Sequence, residues 1–207
     1  MSVIKTHNGD YIKIDFITER CFRLRMSIRD DFSEKNPFAR YGIYDFSNKG
    51  VSPTYDLTNG KTVVSTGSMK MVMKDSGDGF TIYNSDGAAV VKTGNPMQVG
   101  HSGGFSTELL VGKDEKFYGM GDVNREILQK RGSTAKIWVK NVQSYVPIPF
   151  LMSSSGWAVF SNTTFRHNFD ICDTTPDAVK IFGYYGELDM LFFIGDDYSS
   201  LLEQYTA

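Results

Sequence analysis

Apolar and polar residues alternate along much of this chain, which is the pattern of a β-strand with one buried face. Ile12, Ile14 and Phe16 alternate with more polar neighbours, and the stretches 22–28 and 69–73 repeat the pattern. Turn sequences rich in Gly, Asn and Asp separate these runs, and such residues reach the backbone conformations that tight hairpins need. Many short strands at this spacing predict an all-β sandwich or barrel.

Other segments depart from simple alternation. Three later runs are continuously apolar and predict strands buried on both faces: 148–152, 157–160 and 188–194. Only the C-terminus has helical spacing: Asp196 or Asp197 is placed to cap a helix at about 197–206, with Tyr198, Leu201, Leu202 and Tyr205 on one face. Weak patterning over 32–53 predicts a long loop.

Composition narrows the class of protein. The 207 residues carry a formal net charge of -2 and no basic stripe, which argues against a nucleic-acid partner. Apolar runs are too short to cross a bilayer, and no signal peptide is visible. We therefore expect a cytoplasmic protein with free thiols at Cys21 and Cys172, or a periplasmic or secreted one if a signal peptide has been removed.

Few residues indicate a catalytic or metal-binding role. The three histidines are isolated in the sequence, and no spacing indicates a metal or another cofactor, so neither is expected. Glu187 and Asp189 lie two apart on a predicted strand and therefore share a face. Paired carboxylates are the machinery of glycosidases, but the more ordinary interpretation is a solvated strand face.

The second half of the chain resembles a known family. Residues 117–122, Phe-Tyr-Gly-Met-Gly-Asp, resemble the aromatic-Tyr-Gly-Leu-Gly-Glu segment of family 31 glycoside hydrolases. Further segments follow in that family's order: Arg131-Gly132, Ile137-Trp138, 147–150, 156–162 and 188–198. The resemblance covers most of residues 60–207, and its fixed order is more specific than any single motif. Asp122 departs from it, since the family usually has Glu there.

This resemblance implies a large antiparallel β-sandwich, the galactose mutarotase-like supersandwich, with a short C-terminal helix. It also implies one N-terminal domain over 1–207, whose helix leads toward a catalytic (β/α)8 barrel that carries both catalytic carboxylates. We therefore expect this chain alone not to be an enzyme. Its parent would be an α-glucosidase or α-xylosidase, with the barrel as the sandwich's partner in the same chain and an α-linked glucosyl or xylosyl saccharide as substrate.

The resemblance further implies a sugar-contacting loop at 137–145. In several α-glucosidases a sandwich loop helps to form the site of the leaving-group sugar, and it matches Trp138, Asn141, Gln143 and Tyr145 here. Amides both donate to and accept from hydroxyls, and the two rings offer apolar faces. The alternative interpretation puts Trp138 in the core, Asn141 in a turn and Gln143 in solvent.

Two other functions share this architecture. One is a stand-alone carbohydrate-binding module, and the other is a mutarotase-like sugar epimerase. An epimerase needs an acid and a base that converge on a sugar, and His101 and His167 have no partner identifiable from the sequence. If the chain is instead a barrel-docking domain, a bare apolar face predicts self-association in isolation.

Overall fold

The computed structural model describes residues 2–58, 60–74, 77, 79–139 and 146–207. Over these residues it contains seventeen strands and two helices, which confirms the predicted all-β class. One sheet has seven antiparallel strands, in the order β1-β2-β3-β17-β14-β13-β11. Its strands are β1 (Ser2–Lys5), β2 (Tyr11–Thr18), β3 (Cys21–Ser27), β11 (Phe117–Gly121), β13 (Pro147–Ser153), β14 (Trp157–Ser161) and β17 (Leu188–Ile194).

The second sheet has ten strands among the described residues, in the order β12-β15-β16-β10-β8-β7-β6-β5-β4, with β9 paired to β10. They are β4 (Thr54–Thr58), β5 (Lys61–Ser65), β6 (Met69–Lys74), β7 (Phe80–Asn84), β8 (Ala89–Thr93), β9 (Gln98–Val99), β10 (Phe105–Leu110), β12 (Ser133–Ile137), β15 (His167–Ile171) and β16 (Ala178–Gly183). The sheets are joined by chain crossovers, as expected in a sandwich.

The main core lies between the two sheets. Phe22 of β3 stacks on Phe192 of β17 at 5.3 Å between ring centroids, and Phe80 of β7 meets Phe192 edge-on at the same distance. Because Phe80 comes from one sheet and Phe22 and Phe192 come from the other, these contacts fix how the two sheets pack together. Trp157 and Phe117 make a further ring contact between strands of the seven-stranded sheet.

A second apolar cluster covers the outer face of the seven-stranded sheet. Helix α2 (Tyr198–Thr206) lies there, and the Tyr205 ring stacks on Phe150 at 4.1 Å. Tyr44, from the segment after β3, packs edge-on against Phe160. This second layer is why every residue of β17 is buried, as the continuous apolar run predicts.

The C-terminal helix begins as predicted, with Asp197 as its N-cap. Asp197 accepts a hydrogen bond from the backbone N–H of Ser200, whose hydroxyl completes a capping box. The predicted apolar face was wrong in one detail: Leu201 is fully buried, whereas Leu202 is 44% exposed. The reason is that the helix covers the sheet with a narrow stripe only.

The segment over 32–53 is the predicted long loop, interrupted by one turn of helix, α1 (Pro37–Arg40). Asn36 caps this turn by accepting from the backbone N–H of Phe38. Both cysteines are buried and free, as predicted. In the part of the chain that the structure describes, no helix is long and apolar enough to cross a membrane.

Candidate functional site

The Gly-Met-Gly motif of residues 119–121 builds a β-bulge between β11 and β13. Gly119, Met120 and Gly121 all have positive φ, at 115°, 71° and 60°. A Cβ atom on Gly119 would lie 2.3 Å from the Phe150 carbonyl oxygen, and one on Gly121 would lie 2.2 Å from that of Val146. Only glycine fits such close backbone approaches. The motif therefore has a structural role, because it directs the chain into the loop at 122–132.

That loop is fixed by a buried cation. The Lys130 ammonium donates to the carbonyl oxygens of Val123, Asn124 and Ile127 at 2.8, 3.0 and 2.6 Å. Burial lowers the pKa of Lys130 from its usual value. Arg131 next to it donates to three further carbonyls, from Gly112, Glu115 and Pro176. Together they anchor the start of β12, which leads to Trp138.

A groove of about 410 Å³ opens where β12 ends. Trp138 lines it and is 40% exposed, so the alternative of a core tryptophan was wrong. Ile137 before it is buried and holds the strand in the sandwich. The other predicted site residues, Asn141, Gln143 and Tyr145, lie outside the described residues, and their roles stay predictions.

Apolar side chains from three other segments line the groove with Trp138. Phe38 of α1 and Phe165 from the β14–β15 turn line the same groove, with Pro147 and Pro149 of β13 on another side. We define the apolar patch as Phe38, Trp138, Val139 and Phe165, which line the groove, together with Val146 and Ile148, which lie next to the groove-lining prolines in sequence; each is at least 36% exposed. Soluble proteins rarely leave so many large apolar side chains together without a partner.

A buried ion cluster lies beside this groove on the outer face of the seven-stranded sheet. Arg23 donates through Nε and Nη2 to both Asp189 oxygens, at 2.8 and 2.5 Å, and through Nη1 to Glu34 at 2.6 Å. Burial alone would lower the pKa of Arg23, but its hydrogen bonds to the two carboxylates raise it above its usual value. Burial raises the pKa of Asp189, which the contacts with Arg23 and Asn162 oppose.

This cluster corrects the interpretation of Glu187 and Asp189 as one solvated strand face. Asp189 is 5% exposed and paired with Arg23, whereas Glu187 precedes β17 and meets Lys35 at 2.5 Å in an exposed pair. Both carboxylates line one shallow depression, but each is bound to its own cation, Asp189 to Arg23 and Glu187 to Lys35, so they are not arranged as a free glycosidase pair. The reason is the second layer over this sheet, which the segment 32–53 supplies.

Two amides extend the cluster to the groove wall. Asn162 donates to Asp189 Oδ2 at 2.8 Å, and Asn36 donates to Asn162 Oδ1 at 2.6 Å. Since Asn36 also caps α1, the buried charges position the helical turn that carries Phe38. Sequence reasoning missed these amides and Glu34. Arg23 was visible only as a polar member of an alternating strand.

His167 is a structural residue rather than a base. It is fully buried, its Nδ1 hydrogen-bonds the Phe165 carbonyl at 2.8 Å, and burial lowers its pKa from 6.5 to about 4. It packs between the rings of Phe105 and Phe169. Among the described residues no cluster of His, Cys, Asp and Glu could hold a metal ion.

We expect His167 to make the fold acid-sensitive. Its folded pKa lies below its unfolded value, so the unfolded chain takes up the proton first, and stability falls as the pH drops from about 6.5 toward 4. The full loss is about 3 kcal/mol. The variant His167→Phe should flatten this part of a urea-unfolding pH series, whereas His7→Phe, at an exposed histidine, should not. An unchanged slope in His167→Phe would contradict the assignment.

Comparison with known proteins gives the family. The model of the glycosyl hydrolase 31 N-terminal galactose mutarotase-like domain matches residues 11–170. An isomaltosyltransferase of Sporosarcina globispora is 28% identical over 102 residues, which are 44% of this chain and 9% of that protein. The α-xylosidase XylQ of Lactiplantibacillus pentosus is 30% identical over 104 residues, 48% of this chain and 14% of that protein. The chain therefore matches only a small part of these relatives.

Solved structures share the fold. The family 31 dextranase of Flavobacterium johnsoniae superposes with a TM-score of 0.80 at 19% identity, over 96% of this chain and 25% of that one. A family 31 α-xylosidase from a soil metagenome gives 0.79 at 17% identity, over 99% and 33%. With the family model matched over most of the chain, this protein belongs to the N-terminal galactose mutarotase-like domain family of glycoside hydrolase family 31.

Proposed function

We propose that residues 1–207 act as one non-catalytic domain of an α-glycosidase, which packs on a catalytic barrel in the same polypeptide and contributes the segment around Trp138 to the leaving-group subsite. Two observations together support this proposal: the chain belongs to this domain family, and it exposes the apolar patch that a barrel could cover. The relatives named above act on or transfer α-linked sugars, and we extend that substrate class to the parent of this chain.

The arrangement of the patch favours a protein partner on one side and a sugar on the other. Val146, Ile148 and Phe38 offer apolar area that a barrel would bury. Trp138 lines the groove and is 40% exposed, which suits stacking against a sugar ring. One wall alone desolvates a polyol poorly, so we expect the subsite to be complete only with the barrel in place.

Replacing Asn141 by alanine in the full-length enzyme should mainly weaken the use of disaccharides. Loss of one neutral hydrogen bond to the leaving-group sugar costs on the order of 1 kcal/mol, which is a several-fold drop in kcat/KM. Aryl glycosides should lose less, because their leaving group makes fewer hydrogen bonds. The measurement is kcat/KM on a disaccharide and on the matching aryl glycoside.

The control for this experiment is Asn8→Ala, the same substitution at an exposed turn between β1 and β2. It should leave both substrates unaffected. Equal losses on the disaccharide and the aryl glycoside in Asn141→Ala would show that Asn141 does not contact the leaving group, and the assignment of this loop would then be wrong.

The 207-residue chain by itself should self-associate through the apolar patch. Burying several large apolar side chains of a second copy is favourable when no barrel covers them. In sedimentation velocity, Val139→Ser/Val146→Ser should shift the chain toward monomer. Leu57→Ser/Leu128→Ser removes two apolar side chains outside the patch that are more exposed, at 77% and 80%, and should not. A wild-type chain that is monomeric at high concentration would instead favour a stand-alone binding module.

An epimerase is less well supported. His167 is enclosed in the core, and His101 shares a surface depression with Glu187, whose carboxylate already accepts from Lys35. General acid–base catalysis needs both groups free to reach the substrate.

A further inference from the structure

Another depression lies on the outer face of the seven-stranded sheet, over β2 and β3. It encloses about 650 Å³, and its walls are residues 46–48 and 51–53 together with Tyr55 of β4. Among the described residues it shares no lining side chain with the groove at Trp138. We call it the β2–β3 depression, and its volume is in the range of small-molecule sites.

Charged side chains of the two strands form its floor. Lys13 lies opposite Arg25, and Asp15 lies opposite Arg23, so all four share the outer face of the sheet. Arg25 Nη2 donates to Asp15 Oδ2 at 2.9 Å, and Lys13 Nζ lies 3.2 Å from the same oxygen. These side chains are between 4% and 17% exposed, so the sheet holds them in place before any ligand binds.

Two polar groups of this floor remain available to a ligand. Because both cations contact Oδ2 of Asp15, its Oδ1 accepts no hydrogen bond within the described part of the chain. The Lys13 ammonium has three donors, and Asp15 is its one ion-pair partner among the described residues. An acceptor and a donor this close together match two adjacent sugar hydroxyls, each of which can donate and accept.

The charge balance of the floor favours a neutral ligand. Three basic and three acidic side chains lie in it or bind directly to its members: Lys13, Arg23, Arg25, Asp15, Glu34 and Asp189. A charged ligand would therefore meet repulsion as well as attraction, whereas a neutral polyol can use both kinds of group.

The walls supply the apolar surface that a sugar ring needs. Tyr55 lines the depression and is 40% exposed. The Phe46 ring, also in the lining, lies over the Arg23 guanidinium with 4.4 Å between its centroid and Cζ. A ring beside paired donors and acceptors suits a saccharide, which has apolar ring faces and hydroxyl edges.

We propose that the β2–β3 depression is a second saccharide site, which binds one or two units of a neutral α-linked oligosaccharide through Asp15, Lys13 and Tyr55. In a polypeptide that acts on α-linked sugars, this site holds the substrate on the sandwich at a place separate from the groove at Trp138. The proposal rests on the proposed function for the choice of α-linked sugars, whereas the groups that line the depression select a neutral polyol.

The test is isothermal titration of the 207-residue chain with isomaltose and with sodium gluconate. Isomaltose should bind with a dissociation constant of about 10 mM or tighter, and gluconate should bind more weakly. Lys13→Met should weaken isomaltose binding about fivefold, because it removes a donor and leaves Asp15 paired with Arg25. Tyr55→Ala should weaken it by about the same factor through loss of the ring. Thermal unfolding checks that each variant is folded.

Leu57→Ala is the matched control, since Leu57 lies on the same strand as Tyr55, is 77% exposed and does not line the depression. Trp138→Ala should also leave isomaltose binding unchanged. Three results would each overturn the site: binding that depends on Trp138 and not on Tyr55, tighter binding of gluconate than of isomaltose, or no isomaltose binding up to about 50 mM.

The outcome is separate from that of the proposed function. No barrel takes part in this titration, so its failure leaves the kinetic test of Asn141 standing. Failure of the Asn141 test likewise leaves the effects of Lys13→Met and Tyr55→Ala to be judged by themselves.

Discussion

Replacing Arg23 by methionine is expected to lower the free energy of unfolding by about 3–5 kcal/mol. The guanidinium is 4% exposed and is the shared partner of Asp189 and Glu34. Its loss leaves Asp189 charged and buried beneath the segment 32–53, with the Asn162 amide as its one remaining side-chain donor among the described residues. The measurement is urea unfolding at neutral pH.

Lys35→Met is the control for this prediction. It removes a cation from the neighbouring Lys35–Glu187 pair, whose side chains are 49% and 43% exposed, so the loss should stay below about 1 kcal/mol. The double variant Arg23→Met/Asp189→Leu should be more stable than Arg23→Met, because it removes the orphaned charge as well. Similar losses for Arg23→Met and Lys35→Met would show that burial of the cluster contributes little.

Replacing Gly119 by alanine is expected to cost at least about 3 kcal/mol. Its φ of 115° disfavours any side chain, and the new Cβ would press on the Phe150 carbonyl oxygen at 2.3 Å. The backbone must move to relieve this contact, and the pairing of β11 with β13 moves with it. Chemical denaturation would measure the loss.

Gly132→Ala separates the two causes. Gly132 has a φ of 78°, but a Cβ atom there meets nothing within 4 Å, so its variant carries the backbone strain without the steric contact. We expect a loss of about 1–2 kcal/mol for it. If Gly119→Ala is no worse than Gly132→Ala, the bulge is softer than its geometry indicates.

The period of the sequence was enough to predict many of the strands and which faces of them are buried. In β3, Phe22, Leu24 and Met26 face the core as their alternation requires, and β17 is buried on both faces as its continuous apolar run requires. These features depend on local spacing, which a single sequence contains. The capped C-terminal helix is local for the same reason.

The buried ion cluster could not be predicted from local spacing. Asp189 and Arg23 are 166 residues apart, and nothing near Asp189 in the sequence indicates that a cation will cover it. The groove at Trp138 likewise needs walls from α1, β13 and the β14–β15 turn, which are brought together only by the fold. The family resemblance pointed to Trp138, but not to the side chains that form the walls around it.

Lys130 supplies the loop 122–132 with a cation that is covalently part of the chain. Three carbonyl oxygens converge on the ammonium as they would on a calcium ion in other loops. A metal must be captured from solution, whereas this cation is covalently part of the chain, so closing the loop is a unimolecular step. The structure of the segment that leads to Trp138 should therefore not change when a chelator or divalent metal ions are added to the solution.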